Sequence, residues 1–253
     1  MKLKSTALAA LLLGTTYANA GVFFEAKGGL GIWMAESSGD MRYKSADKFS
    51  LSQLDIDKDS STYLYASFEH FVPVVPNLKM QRHSFSDTGR ATKTGQFGDT
   101  NIDIDAPTEL SFTQTDFTLY WKVPGISLAT AGIVDIDVGL TAKNFSGSSA
   151  KIGSEETTFN ETVPLGYLGA QIDLPTLPIE FDLNTQYSSY KSSSIQDSSV
   201  MVSYTLPFSP ILVDLRVDAG YKKQTIDIDS KLVSDTDIDI DTSGFFFGIS
   251  AKF

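Results

Sequence analysis

The chain has no cysteine, and it lacks any long apolar run beyond its first twenty residues. Without thiols it is neither a disulfide scaffold nor a thiolate metal protein, and it crosses an oxidising compartment without risk of mispairing. A membrane-spanning helix needs about 20 consecutive apolar residues. The most apolar regions, Val123 to Leu140 and Val163 to Leu183, are interrupted by Asp135 and Asp137 in the first and by Pro164, Asp173, Pro175 and Pro178 in the second. A helical anchor is thereby excluded. Basic residues are also scarce: 20 Lys and Arg stand against 31 Asp and Glu, a formal charge of −11 with no basic patch, so nucleic acid is not an expected partner.

What is present begins with an export signal. Lys2 and Lys4 precede a short apolar core, Ala7 to Leu13, and Ala18-Asn19-Ala20 fits the small-x-small cleavage rule. Residues 1–20 are therefore expected to be removed, leaving 21–253 as one domain.

From Gly21 onward the dominant signal is a period of two, which places successive side chains on opposite faces of a strand. In the first segment Val22, Phe24, Ala26, Leu30, Ile32 and Met34 share one face, and Glu25, Lys27 and Gly29 share the other. The same division recurs around Leu64 to Phe68, Leu78 to Met80, Phe117 to Trp121, Ile136 to Ala142, Leu168 to Ile172, Ile179 to Leu183, Val200 to Leu206, Val213 to Ala219 and Phe245 to Phe253. The spacing predicts ten strands, with eight or twelve as alternatives. Short Pro-marked turns near 72–77, 122–131, 174–178 and 207–210 alternate with longer polar loops near 35–60, 86–108, 146–158, 191–197 and 223–243.

Short turns at one end and long loops at the other are the pattern of an antiparallel transmembrane β-barrel. A closed sheet pairs every backbone N–H and C=O without water, which lipid requires. Aromatic girdles are expected at Trp121, Tyr204 and Phe253 on the inner side and at Tyr187, Tyr221 and Phe245 on the outer side. The expected fold is all-β, the expected location is the outer membrane, and its lipid is the expected surrounding.

Two resemblances add to this reading. The stretch Gly244 to Phe253 resembles the C-terminal recognition strand of outer-membrane barrels, with Gly248 and the terminal aromatic Phe253 in place. That implies the barrel-assembly machinery as a partner. Gly21 to Trp33 with Lys27-Gly28-Gly29, Thr115 to Trp121 and the last strand together resemble a family of small outer-membrane β-barrel proteins marked by a Gly-Gly pair in the first strand. The resemblance implies the fold and assigns no activity. The strand-one glycines are read as admitting a bulge or a neighbouring aromatic, since no helix or Lys-Ser/Thr follows them to form a phosphate loop.

The polar faces assign a lumen set of Glu25, Lys27, Glu69, Lys79, Asp116, Asp137, Lys143, Glu180, Asp182, Asp214, Arg216, Asp218 and Lys252. Buried charges must be paired, so these residues either interlock as a plug or line a narrow cation-preferring channel. Asp-Ile-Asp recurs at 55–57, 103–105, 227–229 and 237–241. Asp103, Asp105, Asp237, Asp239 and Asp241 are candidate oxygens for Ca²⁺ or Mg²⁺, weighed against strand extensions with a solvated acidic face. No organic cofactor is expected, and no catalytic residue is assigned. The expected function is non-enzymatic: a narrow channel, or a structural, surface-interacting barrel with acidic outer loops. The alternative is a hydrolase or lipid-modifying barrel using His83 with Ser84, Ser86 and Asp87.

Overall fold

A computed structural model of the protein describes residues 24–44, 46–56, 58–190, 192–208, 210, 213–230 and 235–253. The expected signal segment, 1–20, lies outside them. In chain order the elements are β1 (Phe24–Tyr43), β2 (Phe49–Ser50), a 3-10 turn (Leu51–Gln53), β3 (Lys58–His70), β4 (Asn77–Arg90), β5 (Gly95–Phe97), β6 (Thr100–Ile102), β7 (Pro107–Lys122) and α1 (Ile126–Ala129). There follow β8 (Val134–Asn144), β9 (Ser148–Ile152), β10 (Glu155–Phe159), β11 (Thr162–Leu174), β12 (Ile179–Tyr190), β13 (Ser193–Thr205), β14 (Asp214–Ile228) and β15 (Thr236–Lys252).

Ten of these strands, β1, β3, β4, β7, β8 and β11 to β15, form the wall of an all-β, closed, antiparallel barrel. Closure comes from β15 pairing with β1 between Lys27↔Lys252 and Tyr43↔Thr236. Phe253 extends it, donating its N–H to the Ala26 carbonyl at 2.9 Å and accepting from the Ala26 N–H at 3.3 Å. Because the sheet closes on itself, the wall has no free lateral edge to satisfy in lipid.

Alternation decides which side chains meet lipid. Leu30, Ile32 and Met34 of β1, Leu168 of β11, Val217 of β14 and Phe247 and Ile249 of β15 are exposed on the outer surface. Their strand neighbours turn inward. Trp121, Tyr204 and Phe253 at the short-turn end and Tyr187, Tyr221 and Phe245 toward the other end are likewise exposed, as two aromatic girdles demand.

The outer connections differ from the loops expected. β1 runs on to Tyr43, β14 to Ile228, and β15 starts at Thr236, so most of 35–43 and 223–243 is strand. β12 runs to Tyr190 and β13 starts at Ser193, so 193–197 of the expected loop is strand. Asp- and Ser-rich composition suggests loop, but the period of two persists and the backbone pairs through it, as at Asp227↔Asp239 and Ile226↔Ile240. Residues 86–108 and 146–158 carry the β5–β6 and β9–β10 hairpins, and β9 pairs with β7.

These outer segments build a core of their own. Phe49, Leu51 and Leu54 have no exposed surface and pack with Met41, Ile56, Phe97, Ile102, Leu110 and Ile152. The 3-10 turn is held by a reciprocal cap: Ser50 Oγ accepts from the Gln53 N–H at 3.2 Å, and Gln53 Oε1 accepts from the Ser50 N–H at 3.1 Å.

A stratified lumen

Nearest the short turns the lumen is ionic. Glu180 of β12 receives Lys27 at 2.9 Å, Arg216 at 2.9 Å and Lys252 at 3.4 Å, and Glu25 binds Lys252 at 2.9 Å and Lys27 at 3.2 Å. These five groups come from β1, β12, β14 and β15, so their contacts run across the barrel as well as along its wall. Asp218 accepts from Tyr65 and Ser250, each at 3.1 Å. Lys79 donates to Asn184 at 2.8 Å, and Glu69 accepts from Tyr120 at 2.8 Å and pairs with Lys122 at 2.9 Å. Asp137 Oδ1 and Asp182 Oδ2 are buried without a hydrogen-bond partner among the described residues. Asp214 shares the lumen parity, yet it is exposed at the end of β14.

Above this layer lies an aromatic shelf of Trp33, Tyr63, Tyr65 and Phe246. The strand-one glycines admit it. A Cβ on Gly29 would collide with the Tyr65 ring, and one on Gly31 with the Tyr63 ring and the Phe247 carbonyl. Gly248, across the ladder from Gly31, leaves room for the Tyr63 hydroxyl. A cavity of about 70 Å³ runs past the shelf, lined by Lys27, Glu69 and Asp182 below it and by His83 and Lys222 above it.

A second polar layer follows. Lys143, whose side chain has no exposed surface, holds Asp116 at 2.7 Å and Asp197 at 3.0 Å, and Lys222 binds Asp197 at 2.9 Å. Gln224 donates to Asp197 at 3.0 Å and to Gln114 at 2.8 Å. His83 sits beside them, 5.6 Å from the Trp33 ring and 6.3 Å from that of Tyr63, with Nε2 3.1 Å from Lys222 Nζ. An ammonium only donates, so Nε2 is the accepting nitrogen and the ring hydrogen is on Nδ1. That Nδ1 is buried and has no hydrogen-bond partner among the described residues.

The outermost layer is apolar. Phe145, Leu165, Ile195, Ile226 and Ile238 are buried here, with Phe112, Val163, Ile228 and Ile240 packed against them. They surround a chamber of about 460 Å³ whose floor is Trp33, His83, Gln114, Lys222 and Gln224. The wall has inverted its polarity: at membrane level the lumen is polar and the outside greasy, whereas here isoleucines point in and Asp227, Asp239 and Asp241 point out.

The acidic triplets thus divide. Those at 227–229 and 237–241 include strand extensions, while Asp55 and Asp105 are turn residues with φ of 56° and 66° and Asp57 lies outside the described residues. Asp103 and Asp105 are exposed, Asp237 is paired with Arg42, and Asp241 accepts from Thr225. Among the described residues no group of three or more His, Cys, Asp or Glu is placed to hold a metal ion. Nor does β4 bring Ser84 to His83: Ser84 lies 3.3 Å from Thr113 Oγ1, while the His83 ring lies beside Lys222, Trp33 and Tyr63.

Asp197, Lys222, Gln114 and Gln224 are absent from the lumen set read from sequence. The signal for Asp197 was there, since it shares parity with Ser199, Met201 and Ser203, opposite Val200 and Val202.

No sequence family and no curated protein matches the chain. Among solved structures it is similar to the outer membrane protease OmpT from Escherichia coli, at 10% identity and TM-score 0.45, covering 90% of this chain and 96% of that one. Ail, the attachment invasion locus protein of Yersinia pestis, gives 10% identity and TM-score 0.41 over 91% and 99%. OprG from Pseudomonas aeruginosa gives 14% and 0.34 over 91% and 95%. These likenesses concern the fold alone.

Proposed function

We propose that this outer-membrane barrel is a non-enzymatic binder of small, uncharged, apolar molecules, with a lumen closed to ions beneath the binding chamber. The carrying observation is the chamber itself. Its 460 Å³ falls within the ~300–1,000 Å³ of small-molecule sites, which combine apolar walls with a few polar groups that fix orientation. The walls are isoleucine, phenylalanine and leucine, and His83 of the floor carries a buried Nδ1–H that has no acceptor among the described residues. A ligand with an apolar body and one carbonyl or hydroxyl oxygen matches both. At and beneath the floor, the buried ion pairs and the aromatic shelf narrow the lumen to a cavity of about 70 Å³, which favours a plug over the cation path that the acidic lumen set also allows. Recognition of the C-terminal strand by the assembly machinery, through Gly248 and Phe253, belongs to the same proposal.

The test is binding of Prodan, an uncharged naphthalene ketone whose emission shifts to the blue in apolar surroundings. The folded barrel is expected to bind it saturably, and Ile238→Asp to abolish the shift while the barrel still migrates as folded on an unheated gel. Emission indistinguishable from that of protein-free bilayers, or equal in Ile238→Asp, would overturn the reading.

A further inference from the structure

The ladders of the wall do not all reach the same height. β11 and β12 pair from Leu174↔Ile179 to Gly166↔Tyr187, and there the ladder stops. Both strands continue, but each pairs only with its other neighbour: β11 with β8 as far as Thr162↔Asn144, and β12 with β13 as far as Tyr190↔Ser193. The β3–β4 ladder also ends early, at Thr62↔Ser84, yet the 3-10 segment seals that place. There the Thr108 hydroxyl donates to the Leu54 carbonyl at 2.7 Å and the Thr92 N–H to the Gln53 carbonyl at 2.8 Å. Over the β11–β12 seam no described segment is placed in the same way, and Thr162, Pro164 and Ser189 are exposed.

Pro164 suits a strand with no partner on one side, because it has no N–H to leave unsatisfied. The chamber reaches the seam: its lining includes consecutive residues of both strands, Val163 and Pro164 on β11, Ser188 and Ser189 on β12. In a paired strand only alternate residues border the lumen. Neighbours of both parities border it where the free edge itself forms the wall. Directly beneath the gap stands Tyr187, exposed in the outer aromatic girdle, so the gap opens at the level of the membrane interface.

We infer that the gap between β11 and β12 is a lateral passage through which an apolar ligand moves between the chamber and the outer part of the bilayer. The inference rests on reading the chamber as an apolar binding site, and it narrows the ligand class to molecules that partition into membranes. A ligand leaving this way crosses none of the buried ion pairs, so this route needs no opening of the plug. Unpaired backbone at this height meets water and headgroups, which satisfy it as hydrocarbon does not.

The absence of native cysteine makes the test clean. Pro164→Cys and Ser189→Cys, both outward-facing, are introduced into the full chain and joined by a bis-methanethiosulfonate linker that a reductant removes. Occupancy is followed by energy transfer from Trp33, on the chamber floor, to Prodan in a Trp121→Phe background. With the link in place, exchange between chamber and vesicle bilayer is expected to be about tenfold slower than in the same double variant after reduction, each rate being read against the equilibrium occupancy of that state. Unchanged exchange with the link verified by mass overturns the passage and leaves the binding site standing. No Prodan binding by the unmodified barrel overturns the site and the passage together. Should the double variant not fold, Ser189→Cys carrying a bulky maleimide gives the same comparison.

Discussion

Lys143 of β8 reaches Asp197 of β13 at 3.0 Å inside the barrel, from a side chain with no exposed surface. Removing one member of a buried ion pair costs about 3–5 kcal/mol, because the partner keeps its desolvation without its counter-charge. Lys143→Met is therefore expected to lower unfolding free energy in lipid vesicles by that order. Adding Asp116→Asn should recover part of the loss, since one stranded carboxylate is then gone. An unaltered urea midpoint for Lys143→Met would remove this layer from the stability of the barrel.

The proposed plug makes an electrical prediction. Inserted into a planar bilayer under a cation gradient, the barrel is expected to give no steady current. Replacing Glu180, which joins Lys27, Arg216 and Lys252, by Ala should introduce flickering conductance as three cations lose their common partner. Discrete cation-selective steps from the unaltered chain would instead identify a pore.

Val138 faces lipid in β8 and is 44% exposed. Val138→Arg is expected to cost about 2–4 kcal/mol of folding free energy in bilayers, and Val138→Leu almost nothing. Similar refolding yields for the two would contradict the assigned faces. Three residues on, Thr141 faces the lumen, is only 1% exposed and lies 2.7 Å from Thr118 Oγ1, so arginine there meets a filled layer rather than open lumen.

Gly29 exists to let Tyr65 lie across it. Gly29→Ala places a methyl against that ring and should destabilise by about 1–3 kcal/mol, the range for overpacked cores. Tyr65→Leu, costly alone, should cost less in the Gly29→Ala background. Additive losses in the double-mutant cycle would show that the two do not share space.

The wall and its faces were legible in the sequence because Phe24, Leu30, Ile32 and their counterparts alternate with polar residues through every strand. The chamber was not, and the reason is physical. In Asp237-Ile238-Asp239-Ile240-Asp241 the alternation says that isoleucine and aspartate part company, without saying which faces inward. Read with the lipid-facing rule, isoleucine belongs outside. Above the membrane the rule reverses, and only the continuous register from Phe246 back to Ile238 discloses it. Asp197 was lost for a related cause, since Ser, Gln and Asp around it resemble a loop in composition while the backbone stays paired. The gap beside Pro164 depends on where one ladder ends, and a single proline is its only trace in the chain.

The outward carboxylates of Asp227, Asp239 and Asp241 have a consequence for how the cylinder floats. They form an acidic collar directly above Tyr221 and Phe245 on β14 and β15. Hydrocarbon rising past the aromatic girdle would have to envelop them, at a cost far above the fractions of a kcal/mol per Å by which membranes adjust thickness around a protein. The collar is thus a depth stop. In a thicker bilayer the lipid must thin around this sector or the barrel must tilt, and the mouth of the chamber stays above the waterline.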